Sequence, residues 1–298
     1  ASSSGGGISC WGGSNPTLTN VTITGNTAST NYGGGLYCNN SSPTLKNVTI
    51  TNNTANKFGA GIYCYDTSNP TLENVTITGN TALENGGGLY LDINSNVNVL
   101  NTILWDNGPQ EIYLTGASDT ITVAYSDVQG GQDSLITNGG SVNWGEGNID
   151  ADPLFVDAAN GDYSLLDYSP AIGAGTATGA PTTDIDGNVR PNPASSNPDM
   201  GAYENSLASQ RPKAGTIADG LTTDVDWLNS VSTLSAVWNT FTDNAALTYE
   251  FAIGTSTSAL ADVVDWTSNG SDTSVTKTGL SLTDGSTYYV SVRATDTD

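Results

Sequence analysis

Histidine is absent from the chain, and basic side chains are scarce: 7 lysines and arginines stand against 30 aspartates and glutamates in 298 residues. Without histidine, a serine or cysteine nucleophile has no imidazole to take its proton. The formal net charge of −23 repels nucleic acid and anionic lipid, and acidic polysaccharides with them. Only three cysteines occur, an odd number spaced by a repeat, so there is no disulfide framework. No apolar run is long enough to span a bilayer, and no charged-then-apolar leader stands at Ala1. Charged residues make up 12% of the chain and hydrophobic ones 36%, with 35 glycines, a balance that describes a β-rich, turn-rich globular chain rather than a disordered one.

What is present is a repeat. Asn20-Val-Thr-Ile-Thr-Gly-Asn26 recurs as Asn47-Val-Thr-Ile-Thr-Asn-Asn53 and Asn74-Val-Thr-Ile-Thr-Gly-Asn80, with a degenerate copy at Asn101-Thr-Ile-Leu-Trp-Asp-Asn107. The leading asparagines are 27 residues apart. A glycine-rich phrase ends at Cys10, Cys38, Cys64 and Leu91, so the drift in spacing lies in the loop between the two phrases. A period in this range marks a stacked-coil architecture. The runs alternate with period two and show no helical spacing. Each coil offers an apolar edge that becomes a core only when the next coil covers it. The pattern therefore predicts a right-handed parallel β-helix. Its inward columns are Leu18/Leu45/Leu72/Val99, Val21/Val48/Val75, Ile23/Ile50/Ile77/Leu104, Ile8/Leu36/Ile62/Leu89 and Cys10/Cys38/Cys64/Leu91. The leading asparagines are expected at left-handed corners, bonded to their equivalents one coil away. The three cysteines are expected as free, buried thiols.

The beginning, Ala1-Ser-Ser-Ser-Gly5, aligns with Ala28-Ser-Thr-Asn-Tyr32, which puts residue 1 inside a coil and implies further chain upstream. The repeat loosens from Pro109 to Trp144, and a different style follows. Ile149-Asp-Ala-Asp-Pro-Leu-Phe-Val-Asp157, Ser169-Pro-Ala-Ile-Gly-Ala-Gly175, Asp184-Ile-Asp-Gly-Asn-Val-Arg-Pro191 and Asp199-Met-Gly-Ala-Tyr-Glu204 come in that order. This run resembles the closing segment of bacterial secreted β-helix proteins, the choice-of-anchor or right-handed β-helix repeat group. The coils themselves resemble polymorphic-outer-membrane-protein repeats. The resemblance implies a segment that ends the solenoid, and it says little about chemistry. Farther on, Thr233-Leu-Ser-Ala-Val-Trp238 and Leu247-Thr-Tyr-Glu-Phe-Ala-Ile253 read as sandwich strands. Gly279 to Ala294 is similar to the corner and penultimate strand of a fibronectin type III domain, with Trp238 as its core tryptophan. The chain thus divides into coils over 1–148, a closing segment over 149–204, a polar connector over 205–218, and a fibronectin type III-like sandwich over 219–298, incomplete at its end. The fold class is all-β.

A lyase of this shape needs a cation beside its substrate's carboxylate. Only Lys46, Lys57 and Arg190 lie in the coils and closing segment, without clustering, and Glu73 stands one coil after Lys46 as its surface partner. A hydrolase needs converging carboxylates, and Asp66, Asp92 and Asp106 fall at different phases of the repeat. Tyr37, Tyr63 and Tyr90 form one outward column flanked by Trp11 and Tyr65, a strip able to stack on a neutral glycan or simply to stabilise the sheet. The outward Thr22/Thr24, Thr49/Thr51 and Thr76/Thr78 array is a flat lattice of the kind an ice-binding solenoid displays, and equally an ordinary exposed strand pattern. Asp184, Asp186 and Asn188 alternate oxygen donors around a glycine as in a calcium loop, and Asp150 and Asp152 add a second acidic cluster, so a structural calcium ion is the one cofactor the sequence suggests.

These observations describe a non-enzymatic, extracellular or cell-surface modular protein, a stalk or adhesin whose partners are copies of itself or neutral glycans. The alternative is a polysaccharide-binding or polysaccharide-degrading protein with its site in coils upstream.

Overall fold

The registers stack the repeat coil on coil, in parallel, as its period requires. A computed structural model describes residues 5–220, 229–242 and 246–296; the Ala1–Ser4 start of the first coil lies outside the described residues. The chain falls into two units, residues 1–210 and 211–298. The first strand of the second unit, Ile217–Asp219, begins inside the stretch read from sequence as a connector.

In the first unit, strands Ile8–Trp11, Leu36–Asn39, Ile62–Tyr65, Leu89–Leu91 and Ile112–Leu114 form a five-stranded parallel sheet. A second parallel sheet is built on Thr17–Thr24, Thr44–Thr51 and Thr71–Thr78, and the later coils carry it on through Asn96–Leu100, Thr120–Ala124 and Ser141–Trp144. Two-residue strands Thr27–Ala28, Thr54–Ala55 and Thr81–Ala82 make the third side. Every inward column read from the repeat is in register: Leu18 on Leu45 on Leu72 on Val99, Ile23 on Ile50 on Ile77 on Leu104, and Cys10 on Cys38 on Cys64 on Leu91. These side chains form one continuous core, and the three thiols in it are free.

The corners explain the asparagines. Asn20, Asn47, Asn74 and Asn101 all adopt positive φ, between 49° and 55°, a region asparagine tolerates better than branched residues do. Asn47 Nδ2 donates to Asn20 Oδ1 at 3.0 Å, and Asn101 Nδ2 to Asn74 Oδ1 at 3.2 Å. The closing asparagine of each phrase builds a second ladder. Asn26, Asn53 and Asn80 each donate Nδ2 to the next rung's Oδ1, at 3.0, 2.9 and 2.8 Å, ending on Asn107. The glycine runs are required by close approach, since a Cβ on Gly34 would stand 2.6 Å from the Ala60 carbonyl oxygen.

Beyond Ile149, which bridges to Asp127, the chain does not sit on the solenoid's end. It makes a short hairpin, Phe155–Asp157 with Asp162–Leu165, and then runs back along the outer flank of the second sheet. The segment therefore lies against the side of the coils, held by Asn47, Asn74 and Asn101. Ile103 and Trp105, outward residues where earlier coils carry threonine, pack with Leu165, Ala171, Ile172 and Met200 into a second small core.

The second unit pairs two antiparallel three-stranded sheets, Ile217–Asp219/Thr233–Trp238/Ser274–Thr278 and Val264–Gly270/Thr248–Gly254/Tyr289–Thr295. Leu234, Phe251 and Ile253 are buried with Val275, Val290 and Val292 in one cluster, an arrangement compatible with a β-sandwich. Trp238 is buried edge-on to Tyr249, with ring centroids 5.7 Å apart. The Tyr288 hydroxyl accepts from the Thr283 N–H at 2.8 Å, as the tyrosine corner of such sandwiches does.

Candidate functional site

Two outward columns run down the first sheet, because side chains on a strand alternate faces. One holds Tyr37, Tyr63, Tyr90 and Tyr113; the other begins with Trp11, Asn39 and Tyr65 in mutual register. The tyrosine column faces outward as expected, yet it is not open. Tyr37, Tyr63 and Tyr90 are 5%, 3% and 6% exposed. Their rings stack at centroid spacings of 5.5 and 5.1 Å, and Tyr90 stacks on Tyr113 at 5.2 Å. Tyr32 and Phe58, each immediately before a glycine run, lie across Tyr63 and Tyr90 at 4.8 and 4.7 Å. The ring faces that a glycan would use are taken by other rings. Trp11, 54% exposed, and half-buried Tyr65 are the aromatic groups of the sequence-derived strip that remain at the surface.

The threonine lattice is also corrected. Thr22 and Thr24 are exposed, but Thr49, Thr51, Thr76 and Thr78 are buried. The returning segment covers them. Its backbone is held by the asparagine corners: Asn47 Nδ2 donates to the Thr183 carbonyl at 2.7 Å, Asn74 Nδ2 to that of Asp199 at 2.9 Å, and Asn101 Nδ2 to that of Thr176 at 2.8 Å. Asn101 Oδ1 accepts the Thr176 N–H in return at 2.8 Å, so a side-chain amide pairs with a peptide group in both directions.

One buried ion pair locks this segment. Arg190 Nε lies 2.8 Å from Glu204 Oε2, with both side chains fully buried. Arg190 also donates to Asn47 Oδ1 at 3.1 Å and to the carbonyls of Gly201 and Tyr203 at 3.1 and 2.9 Å. Burial lowers the guanidinium's pKa, and the Glu204 charge works against that. Burial likewise pushes the Glu204 carboxyl up, opposed by Arg190 and by the N–H groups of Asp199 and Asn192. Asp199 is pushed up to about 8 by burial and by Glu204, against N–H donors from Asn205 and Gly173.

The acidic residues proposed for calcium are engaged in turns. Asp184 Oδ1 accepts the N–H groups of Asp186 and Asn188 at 3.0 and 2.8 Å, and its Oδ2 accepts Asn188 Nδ2 and the Glu204 N–H at 3.0 and 3.1 Å. Asp150 accepts the Gly130 N–H at 2.9 Å and Asp152 that of Leu154 at 3.0 Å. Among the described residues no three His, Cys, Asp or Glu side chains gather into a group that holds a metal. A shallow polar depression of about 390 Å³ lies beside the ion pair, lined by Asp167, Asn188, Asn192, Glu204 and Asn205 among others.

Sequence reading missed several buried carboxyls, among them Glu111, Asp119 and Asp127. Glu111 takes the last rung of the inner asparagine ladder, accepting the Asn107 N–H at 2.8 Å and Asn107 Nδ2 at 2.6 Å. Burial pushes it up to about 7. Asp127 continues the outward Thr76–Ile103 column under the returning segment. Its Oδ1 accepts the Ala151 N–H at 3.2 Å, its Oδ2 is buried without a hydrogen-bond partner, and burial pushes its pKa up to about 8. The ladder's end was signalled by the break in the asparagine period after Asn107; nothing local marked Asp127.

Residues 1–144 match the family described as the right handed beta helix region. The match covers the coils and stops short of the returning segment and of the second unit. Comparison with curated proteins and with solved structures gave no match. What the similarity carries is architecture, a right-handed β-helix repeat, in agreement with the parallel registers.

Proposed function

We propose that this chain is a non-enzymatic structural and adhesive protein of the cell exterior or cell surface. In this reading the β-helix is a rod, the second unit is a fibronectin type III-like module, and the partners are further copies or neutral glycans. Right-handed β-helices occur both in surface proteins and in polysaccharide-active ones, so the side chains must decide. The observation that carries the reading is the fate of the three cations in the first unit. Arg190 is buried on Glu204, Lys46 Nζ lies 2.6 Å from Glu73 Oε2, and Lys57 sits over the Tyr32 ring. None is placed to take a proton beside a uronate or to neutralise its carboxylate. Two carboxylates line the depression beside the ion pair; Glu204 is held by Arg190, and Asp167 lies 3.4 Å from Asn205 Nδ2. Asp92 and Asp119 meet only through the Thr115 hydroxyl, 2.9 Å from each, and Asp119 is fully buried on backbone donors. A carboxyl in that position cannot reach a glycosidic oxygen.

The test is a depolymerisation screen on neutral and acidic polysaccharides, followed by reducing-end release. No turnover is expected, and robust turnover by this chain would end the non-enzymatic reading. Sedimentation velocity over a wide concentration range tests assembly separately: a mass that grows with concentration is expected, and a strict monomer removes further copies as partners.

A further inference from the structure

The half-open column on the first sheet has an order that its buried neighbour lacks. Trp11, Asn39 and Tyr65 stand side by side on adjacent strands, and Asp92 and Thr115 follow just past the ends of the next two, with the Asp92 N–H on the Cys64 carbonyl and the Thr115 N–H on that of Leu91. Aromatic and polar side chains therefore alternate from Trp11 to Asp92. Adjacent strands are ~4.8 Å apart, so the two aromatic residues lie ~10 Å apart along the solenoid axis. That is the length two sugar rings take in a fully extended β-linked chain. From the geometry we infer that this column is a binding face for a linear, uncharged, β-linked glycan laid parallel to the solenoid axis. Trp11 and Tyr65 would stack on alternate sugars, and Asn39 and Asp92 would bond to the hydroxyls of the sugars between and beyond. The inference rests on the adhesive reading above and gives it a ligand class.

Three further observations support it. The polar rungs are held in place before any ligand arrives: Asn39 Nδ2 donates to the Tyr37 hydroxyl at 3.3 Å, and Asp92 accepts the hydroxyls of Tyr63 and Thr115 at 3.0 and 2.9 Å. Groups already ordered cost less to bind with. The stacked tyrosines behind them form a stiff backing, closed off by Tyr32 and Phe58, and Trp11 leans on it with its ring 5.1 Å from that of Tyr37. Charge then selects among glycans. The column contains the Asp92 carboxylate and no cation, which disfavours a uronate, and a curved α-linked chain would leave the axis after one ring.

Isothermal titration calorimetry of the 298-residue chain with cellohexaose, maltohexaose and hexagalacturonate tests this. Cellohexaose is expected to bind and the other two to bind far more weakly. Trp11→Ala and Tyr65→Ala should each weaken cellohexaose binding by about tenfold. Trp266→Ala, which removes a tryptophan of the second unit stacked on Arg293, should leave it unchanged. Because Trp11 is largely exposed, its variant should melt as the parent does, so a loss of binding is not a loss of fold. Absence of cellohexaose binding, indifference to both aromatic substitutions, or preference for either other hexamer overturns the glycan face and leaves the structural reading intact. Cleavage of bound cellohexaose would instead support the face and overturn the non-enzymatic reading.

Discussion

Asparagine is the residue on which this solenoid turns, and it does two jobs at two positions of one phrase. The leading asparagine accepts a left-handed backbone and presents an amide outward; the closing one is buried and bonds above and below. Asn80 shows the second job fully. Its Nδ2 donates to Asn107 Oδ1 and to the Ile50 carbonyl, both at 2.8 Å, while its Oδ1 accepts from the Asn53 backbone and side chain. Asn80→Ala should cost about 3 kcal/mol, because it leaves several buried donors and acceptors unpaired. Urea unfolding would read the loss directly. At the ladder's end the chemistry changes to a carboxyl, and with Asp127 this makes stability depend on pH. Both groups have folded pKa values raised by burial, Glu111 to about 7 and Asp127 to about 8. Between their ordinary values and these, the folded state binds more protons than the unfolded one. Stability is therefore expected to fall as pH rises from about 4 to about 8, the opposite of a salt-bridged aspartate. Asp127→Asn should flatten that slope in melts taken across the range, with its gain largest at the alkaline end.

At the scale of elements, the alternating phrases made the sheets, the inward columns and the asparagine corners legible, because a period of 27 leaves each side chain one place to go. What the period could not show is what covers the faces. Residues that meet across the second sheet are far apart in sequence, Asn47 with Arg190 and Asn101 with Thr176, and the returning segment has no period of its own. An outward threonine array therefore reads as exposed until the segment is seen lying on it. The rings that close over the tyrosine column stay hidden in the sequence for a nearer reason. Tyr32 and Phe58 sit in the loop where the spacing drifts, yet their place just before each glycine run was a usable sign. The clasp that pins the segment gives a prediction at this scale. Arg190→Ala strands Glu204 without its counter-charge and should destabilise the first unit by about 3–5 kcal/mol, with hydrogen exchange rising first over residues 155–205. Replacing Arg190 and Glu204 together by apolar residues of similar volume should be far milder. Tyr63→Ala, which empties the middle of the ring stack, should cost about 3–5 kcal/mol by the same measurement.

The molecule as a whole carries a net charge of −23, and Lys46, Arg190 and Arg293 are each paired with a nearby carboxylate. Mutual repulsion among the carboxylates works against the compact state. Adding salt should therefore raise the melting temperature, whereas a fold held by exposed ion pairs would lose stability. Calorimetric melts at low and moderate ionic strength distinguish the two.

The segment that doubles back along the flank has a consequence for descent. Solenoids lengthen by duplicating a unit, and a new unit is tolerated wherever its neighbours cannot tell it from the old. Here Asn47, Asn74 and Asn101 each grip a particular point on a tether of fixed length. Inserting or deleting one unit among them would throw those grips out of step, so duplication is free only on the Asn20 side of Asn47.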